Sequence, residues 1–249
     1  MNELDRQERK KLMESIRWPS YFIALLWAIH LIQLAFGWEW GPWLAIRPGY
    51  WQSLGGILFT PLLHGSFLHL FSNSISLFIL WSILLYFYPR VSKRSFLLIY
   101  FLSGLGLWAW GFLPDTRGGF HIGASGVVYG LMAFLLGNGL FRRNFKSIII
   151  AFVVLFFYGG SIFMGLLPKE QVSHEGHWAG FIVGLFTSFF YKQEIEADEI
   201  EQPPSWEREG AMDTKSYFLP RDVFEKTKEE RRREAEGPGQ WTSDSSHPV

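Results

Sequence analysis

The 249-residue chain contains no cysteine. That excludes disulfides, thiolate zinc sites and a cysteine nucleophile, and it leaves the compartment open. Charge is also scarce, at 18% of residues against the quarter usual in soluble proteins. What charge there is lies mostly in the first 17 and the last 58 residues, so the middle of the chain is nearly bare. No HExxH occurs, and no Asp or Glu falls inside a predicted helix to serve as base or ligand. A metal centre built on His64, His69, His121, His174 and His177 is therefore the weaker reading, although zinc favours imidazoles, and no metal is expected. Formal net charge is zero and no basic patch is interleaved with aromatics, so nucleic acid is not an expected partner. The lead "MNELDRQERKKLMESIR" is too long and too charged for a signal n-region. No small-residue cleavage site follows the first apolar run, so no cleaved signal peptide is expected.

What is present is apolar: 49% of residues are hydrophobic and 18% aromatic. A hydrocarbon core about 30 Å thick needs ~20 mostly apolar residues per helix. Six runs qualify as helices, approximately Pro19 to Gly37, Leu68 to Tyr88, Ser95 to Phe112, Ser125 to Leu140, Ser147 to Leu167, and His177 to Tyr191. Open sheets cannot cross lipid and no barrel-like alternation is visible, so the expected class is an all-α, six-helix membrane protein. This divides the chain into a cytoplasmic lead (1–18), a membrane domain (19–191) and a polar cytoplasmic tail (192–249). In the tail, "EKTKEERRREAEGPGQ" is a charged helix or a disordered segment, and composition favours disorder.

Lys and Arg set the orientation. Eleven lie in the amino-terminal lead and in the second-to-third and fourth-to-fifth connections, against Arg47, Arg117 and Lys169 in the other three. Both termini are therefore expected in the cytoplasm. The long first outer loop carries Trp38, Trp40, Trp43, Tyr50 and Trp51, residue types that favour the headgroup level.

Polar groups in membrane helices are costly and call for a reason. His64, His69 and Asn73 occur in "HGSFLHLFSN", Ser125 in "GASGVVYG", and His174 and His177 in "SHEGHWAGFIVG". Helices two, four and six all enter from the outer side, so topology gathers these groups at one face. Ser125 and Tyr129 are four apart, as are His69 and Asn73, and each pair shares a helical face. A helix from Ser125 to Leu140 spans about 24 Å at ~1.5 Å per residue, short of the membrane core, which sets Ser125 below the surface. Acyl transfer needs a nucleophile, a base and preformed oxyanion donors. Ser125 fits the first and His177 the second. The Ser125 amide, His69 and Asn73 fit the third. Gly126 and Gly130, with Gly176, Gly180 and Gly184, are spaced for backbone-to-backbone packing of helices four and six.

The three motifs, in this order and on this helix plan, resemble the rhomboid family of intramembrane serine proteases over roughly Trp38 to Tyr191. The resemblance implies a rhomboid-like bundle, a Ser125–His177 dyad, and oxyanion contacts from His69, Asn73 and the Ser125 amide. It also implies a supporting His64, and Tyr129 packed on the His177 ring, with Gly123 flanking the serine. Substrates would be membrane proteins cut in or near a transmembrane segment, with the lipid bilayer as surroundings and no cofactor. A bacterial inner membrane is the expected location. The chain departs from many members in one place: Trp51 is followed by Gln52, where they carry Trp-Arg. Its lead is short, without a folded cytoplasmic domain.

Plainer readings stand beside these. Ser125 could be a helix N-cap, and Asn73 a hydrogen bond between helices. His30 and His121 read as structural, and His174 as either solvated or supporting. A catalytically silent rhomboid-like protein that binds membrane clients is the alternative function. Loss of the serine or the histidine would mark it, and both are present.

Overall fold

The computed structural model describes residues 3–36, 41–114, 116, 118–168, 173–194, 196 and 226–235. Trp38, Trp40, Arg117, Lys169 and most of the tail lie outside the described residues. The chain forms two units, Met1–Glu199 and Ile200–Val249.

Six long helices make up the first unit. They are α1 (Glu3–Phe36), α2 (Phe67–Phe87), α3 (Pro89–Trp110), α4 (Ser125–Arg142), α5 (Phe145–Leu166) and α6 (His174–Phe190). The ends differ from expectation for local reasons. Helix α1 runs through Pro19 instead of starting there, so the charged lead is continuous with the first apolar run. Helix α3 begins at Pro89, where a missing N–H costs nothing. Helix α6 begins three residues early because Ser173 caps it, its hydroxyl accepting from the Gly176 N–H at 3.2 Å. Glu175 is thereby inside a helix, in its first turn, which corrects the expectation that no acid would be.

Helix α4 is the centre of the unit. Its residues Val127 to Leu135 are all buried, and α6, α5, α2 and α3 pack around it. The contact with α6 is through backbone, as the glycine spacing predicts. A Cβ on Gly180 would overlap the Gly126 carbonyl, and one on Gly184 would overlap that of Gly130. Near the far end of α4, the Ser188 hydroxyl donates to Asn138 Oδ1 at 2.8 Å, both groups buried. Rings tie α1, α2 and α3 together: Trp81 and Phe96 stack at 3.6 Å, and Phe22 meets both edge-on.

The loop between α1 and α2 is anchored without the Trp-Arg pair. Trp51 packs on Trp108 at 4.8 Å. The Trp108 indole N–H donates to the Tyr50 carbonyl at 2.9 Å, and Arg47 lies 3.9 Å over the Tyr50 ring. Gly49 adopts φ +79° and approaches so closely that a Cβ on Gly111 would overlap Pro48.

Three described helices are long and apolar enough to cross a membrane: residues Asp5–Phe36, Phe67–Phe87 and Phe145–Leu166. The outer face of α5 shows why lipid is the fitting surroundings. Phe152, Phe156 and Phe157 are 67%, 73% and 71% exposed, an apolar surface that water would penalise. The chain is an all-helical membrane protein among its described residues. Helices α3, α4 and α6 fall short of that test: α3 opens with Arg90, Lys93 and Arg94, α4 carries four glycines and Asn138, and α6 has 17 residues.

In the second unit, Lys228–Ala235 is helical. Thr227 and Glu230 cap it reciprocally: Glu230 Oε2 accepts from the Thr227 N–H at 2.7 Å, and Thr227 Oγ1 accepts from the Glu230 N–H at 3.3 Å. The pair forms a capping box at the start of this short helix.

Candidate active site

Ser125 is the first residue of α4, and Ala124 occupies the cap position with no side-chain capping bond. The N-cap reading of Ser125 is therefore replaced. At the start of a helix its backbone N–H has no intrahelical partner. The preceding turn requires Gly123, whose φ is +113°, a region side chains rarely adopt. A Cβ there would also overlap the His69 ring, so glycine lets His69 close against the turn that delivers the serine.

His177 sits one turn into α6, buried, with its ring stacked on Tyr129 at 4.0 Å and 7°. Its Nδ1 is 2.8 Å from the Gly165 carbonyl. A carbonyl only accepts, so Nδ1 carries the proton and Nε2 keeps its lone pair. Tyr129 is held in turn by donating its hydroxyl to the Ser161 carbonyl at 2.6 Å. The end of α5 thus orients both rings. Sequence reasoning missed Ser161 and Gly165 because a backbone carbonyl leaves no residue signature. Gly165 gives one oblique sign: any Cβ there would overlap the Tyr129 hydroxyl.

Asn73 Nδ2 is 3.1 Å from His64 Nε2, both residues buried. With Nδ2 as donor, Nε2 is the acceptor and His64 is neutral. Burial, aided by the neighbouring His69, pushes the His64 imidazole down to about 3, so this bond persists at neutral pH. Asn73 is therefore bonded to the segment before its own helix rather than across to another one. One amide hydrogen is used and a second remains for a ligand. His69 is half-buried, its ring 5.1 Å from that of His64. Its helix is capped by Ser66, which accepts from the His69 N–H at 3.2 Å. Ser66 and Ser173 were both readable as caps, each a serine directly before an apolar helix.

These groups share one space. An open cavity of about 980 Å³ is lined by His69, Asn73, Ser125, Tyr129 and His177, and also by His121, Ser173, His174 and Glu175. Among the described residues no Ser125–His177 hydrogen bond is formed. Such bonds are commonly loose before substrate arrives. His64 is behind Asn73 and does not line the cavity. His30 is buried in α1 with its ring 5.1 Å from Phe67, away from the cavity. His121 is not merely a loop residue: its Nδ1 is 2.6 Å from the Ser173 hydroxyl. His174 lies 3.5 Å from the Glu175 carboxylate. Among the described residues no group of three or more His, Cys, Asp or Glu stands in an arrangement that could hold a metal ion.

Residues 47–194 match the family described as Rhomboid domain. That span is more than half of the chain, which belongs to the rhomboid family. Relatives agree. An uncharacterized protein of Mycobacterium tuberculosis, Rv1337, is 37% identical over 173 residues, 68% of this chain and 71% of the relative. An uncharacterized protein of Mycobacterium leprae, ML1171, is 35% identical over 143 residues, 55% of each chain. RHOMBOID-like protein 5 of Arabidopsis thaliana is 31% identical over 134 residues, 51% of this chain and 40% of that protein.

Proposed function

We propose that this rhomboid-family protein is an intramembrane serine endopeptidase, cutting membrane-protein substrates in or near their transmembrane segments. The observation that carries the reading is the state of His177. Its Nδ1–H is committed to the Gly165 carbonyl, which leaves Nε2 as a base in a cavity that Ser125 also lines. In the reaction, His177 takes the Ser125 proton as the hydroxyl oxygen attacks the scissile carbonyl. The oxyanion is met by the Ser125 amide, His69 and the second Asn73 N–H. His177 then returns the proton to the leaving amine, and water hydrolyses the acyl-enzyme by the same path in reverse. Tyr129 holds the base, His64 holds Asn73, and Gly123 shapes the turn. No step calls for a metal or an organic cofactor.

In this reading all six long helices cross the membrane and the neighbours of α3, α4 and α6 compensate for their polar residues. Both termini face the cytoplasm and the membrane is a bacterial cell membrane, in keeping with the mycobacterial relatives. The lead (1–18), membrane domain (19–191) and tail (192–249) remain the proposed division, with α1 running across the first boundary.

The direct experiment is labelling with a fluorophosphonate in detergent, followed by peptide mapping. The adduct is expected on Ser125 and on no other serine. Labelling of Ser125→Ala at the unmodified level would refute the serine-protease reading.

Asn73→Ala should still label but cleave slowly. Loss of one oxyanion donor costs about 10²–10³ in rate, roughly 3–4 kcal/mol, and less where other donors remain. Thermal unfolding measured alongside separates this from the lost His64 bond. Activity that falls only in step with stability would make Asn73 structural.

A further inference from the structure

The glycine contacts between α4 and α6 set the helix axes, but the segment leading into Ser125 needs its own fixing. That segment, 118–124, determines where the Ser125 amide and hydroxyl sit. Its ties run first toward the outer loop. The His121 N–H donates to the Ile46 carbonyl at 2.8 Å, as an isolated antiparallel bridge. The Gly123 N–H donates to the Thr60 carbonyl at 3.0 Å, and the Thr60 hydroxyl to the His121 carbonyl at 3.3 Å. The His121 side chain supplies a tie in the other direction. Its Nδ1 meets the Ser173 hydroxyl at 2.6 Å, and Ser173 is the cap of the helix that bears His177.

We propose that His121 is a positioning residue, acting through Ser173 to hold the segment that enters Ser125 against the start of the His177 helix. This rests on the serine-protease reading of the site. The bond is short and does not need a charged ring. Ser173 Oγ accepts from the Gly176 N–H and still has its own hydrogen and a second lone pair, so it can bond His121 Nδ1 with either partner as donor. A neutral His121 makes it as acceptor with the proton on Nε2, or as donor with the proton on Nδ1. Burial is the main effect that pushes His121 below the usual imidazole range, with His174 adding to it and Glu175 opposing it. The neutral ring is thus the resting form at neutral pH. His121 is four residues before the nucleophile and Ser173 four before the base, so one bond couples the two entry points of the catalytic pair.

The test is a double-mutant cycle with a distance measurement beside it. His121→Phe keeps a ring of similar size and removes the hydrogen-bonding nitrogen. Ser173→Gly removes the hydroxyl at a position where glycine is also tolerated as a helix cap. Each is expected to lower kcat by about 10- to 100-fold, the scale of a misplaced catalytic group, with KM within about threefold. The double variant should be no slower than the slower single, because one bond is lost in each case. His121→Gln, which keeps a hydrogen-bonding group, should recover much of the rate. Fully additive losses, or a rise in KM with kcat intact, would overturn the proposal. Independently of turnover, spin labels at Gly119→Cys and Ile182→Cys suit a chain without native cysteine. Both sites are open: a Cβ at Gly119 meets nothing within 4 Å, and Ile182 is exposed. The distance distribution should broaden or shift on adding His121→Phe, and an unchanged one would refute the positioning role. Absence of cleavage by the unmodified protein would count against the protease reading alone, since the label distance does not depend on activity.

Discussion

Alanine at Ser125 or at His177 is expected to lower turnover of a membrane-segment substrate by about 10⁴-fold or more, and the double variant no further. The nucleophile and its base act as a unit: a hydroxyl without a proton acceptor is barely nucleophilic, and a base without the hydroxyl has no proton to take. His177→Ala should also stop fluorophosphonate labelling, because that reaction needs the same activated oxygen. Ser125 is half-exposed at the cavity, so its replacement leaves the fold intact. His177 is stacked on Tyr129 and bonded to Gly165, so its loss also removes packing, and thermal unfolding must be measured with it. His177→Ala that remains folded and turns over near the unmodified rate would end the dyad assignment. Losses that multiply in the double variant would show that the two residues act separately.

Gly180→Val is the structural counterpart. A Cβ at this position would overlap the Gly126 carbonyl, and backbone cannot move aside as a flexible side chain can. Overpacking a core by a few methyl-sized groups costs about 1–3 kcal/mol, and a backbone collision at the centre of a bundle belongs at or above the upper end. The variant should unfold at lower temperature in detergent and lose activity out of proportion to its folded fraction, because pushing α6 off α4 moves His177 away from Ser125. Gly160→Ala is the control. A Cβ on Gly160 meets nothing within 4 Å, so stability and activity should hold. Equal behaviour of the two variants would show that the α4–α6 contact is not close-packed in the working protein.

Much of the site was legible because its chemistry is carried by rare residues in a scarce setting. In a stretch almost without charge, a serine between glycines and histidines at the starts of apolar helices stand out, and charge bias assigns them to one face. The α4–α6 contact was legible from glycine spacing alone, since only glycine permits that approach. Helix ends were less so. Ser173, Pro89 and the run through Pro19 moved three starts, because capping and propensity are local terms that a tertiary bundle readily extends. The membrane count was the least secure part of the pattern. Helices α3, α4 and α6 carry glycine, asparagine or cations that lower their hydropathy; in the proposed reading neighbours offset that cost, and neighbours are not written in a hydropathy window.

By itself the sequence determined the helical class, the family through its three motifs, and the identities of the residues gathered at the cavity. Side-chain chemistry and period are properties of the chain. Only the tertiary structure decided which nitrogen of His177 holds the proton, that Asn73 leans on His64, that Ser125 starts its helix rather than capping it, and that His121 reaches Ser173. Each of these depends on a partner supplied from elsewhere in the fold, often a backbone carbonyl, which every residue possesses and no sequence pattern can mark.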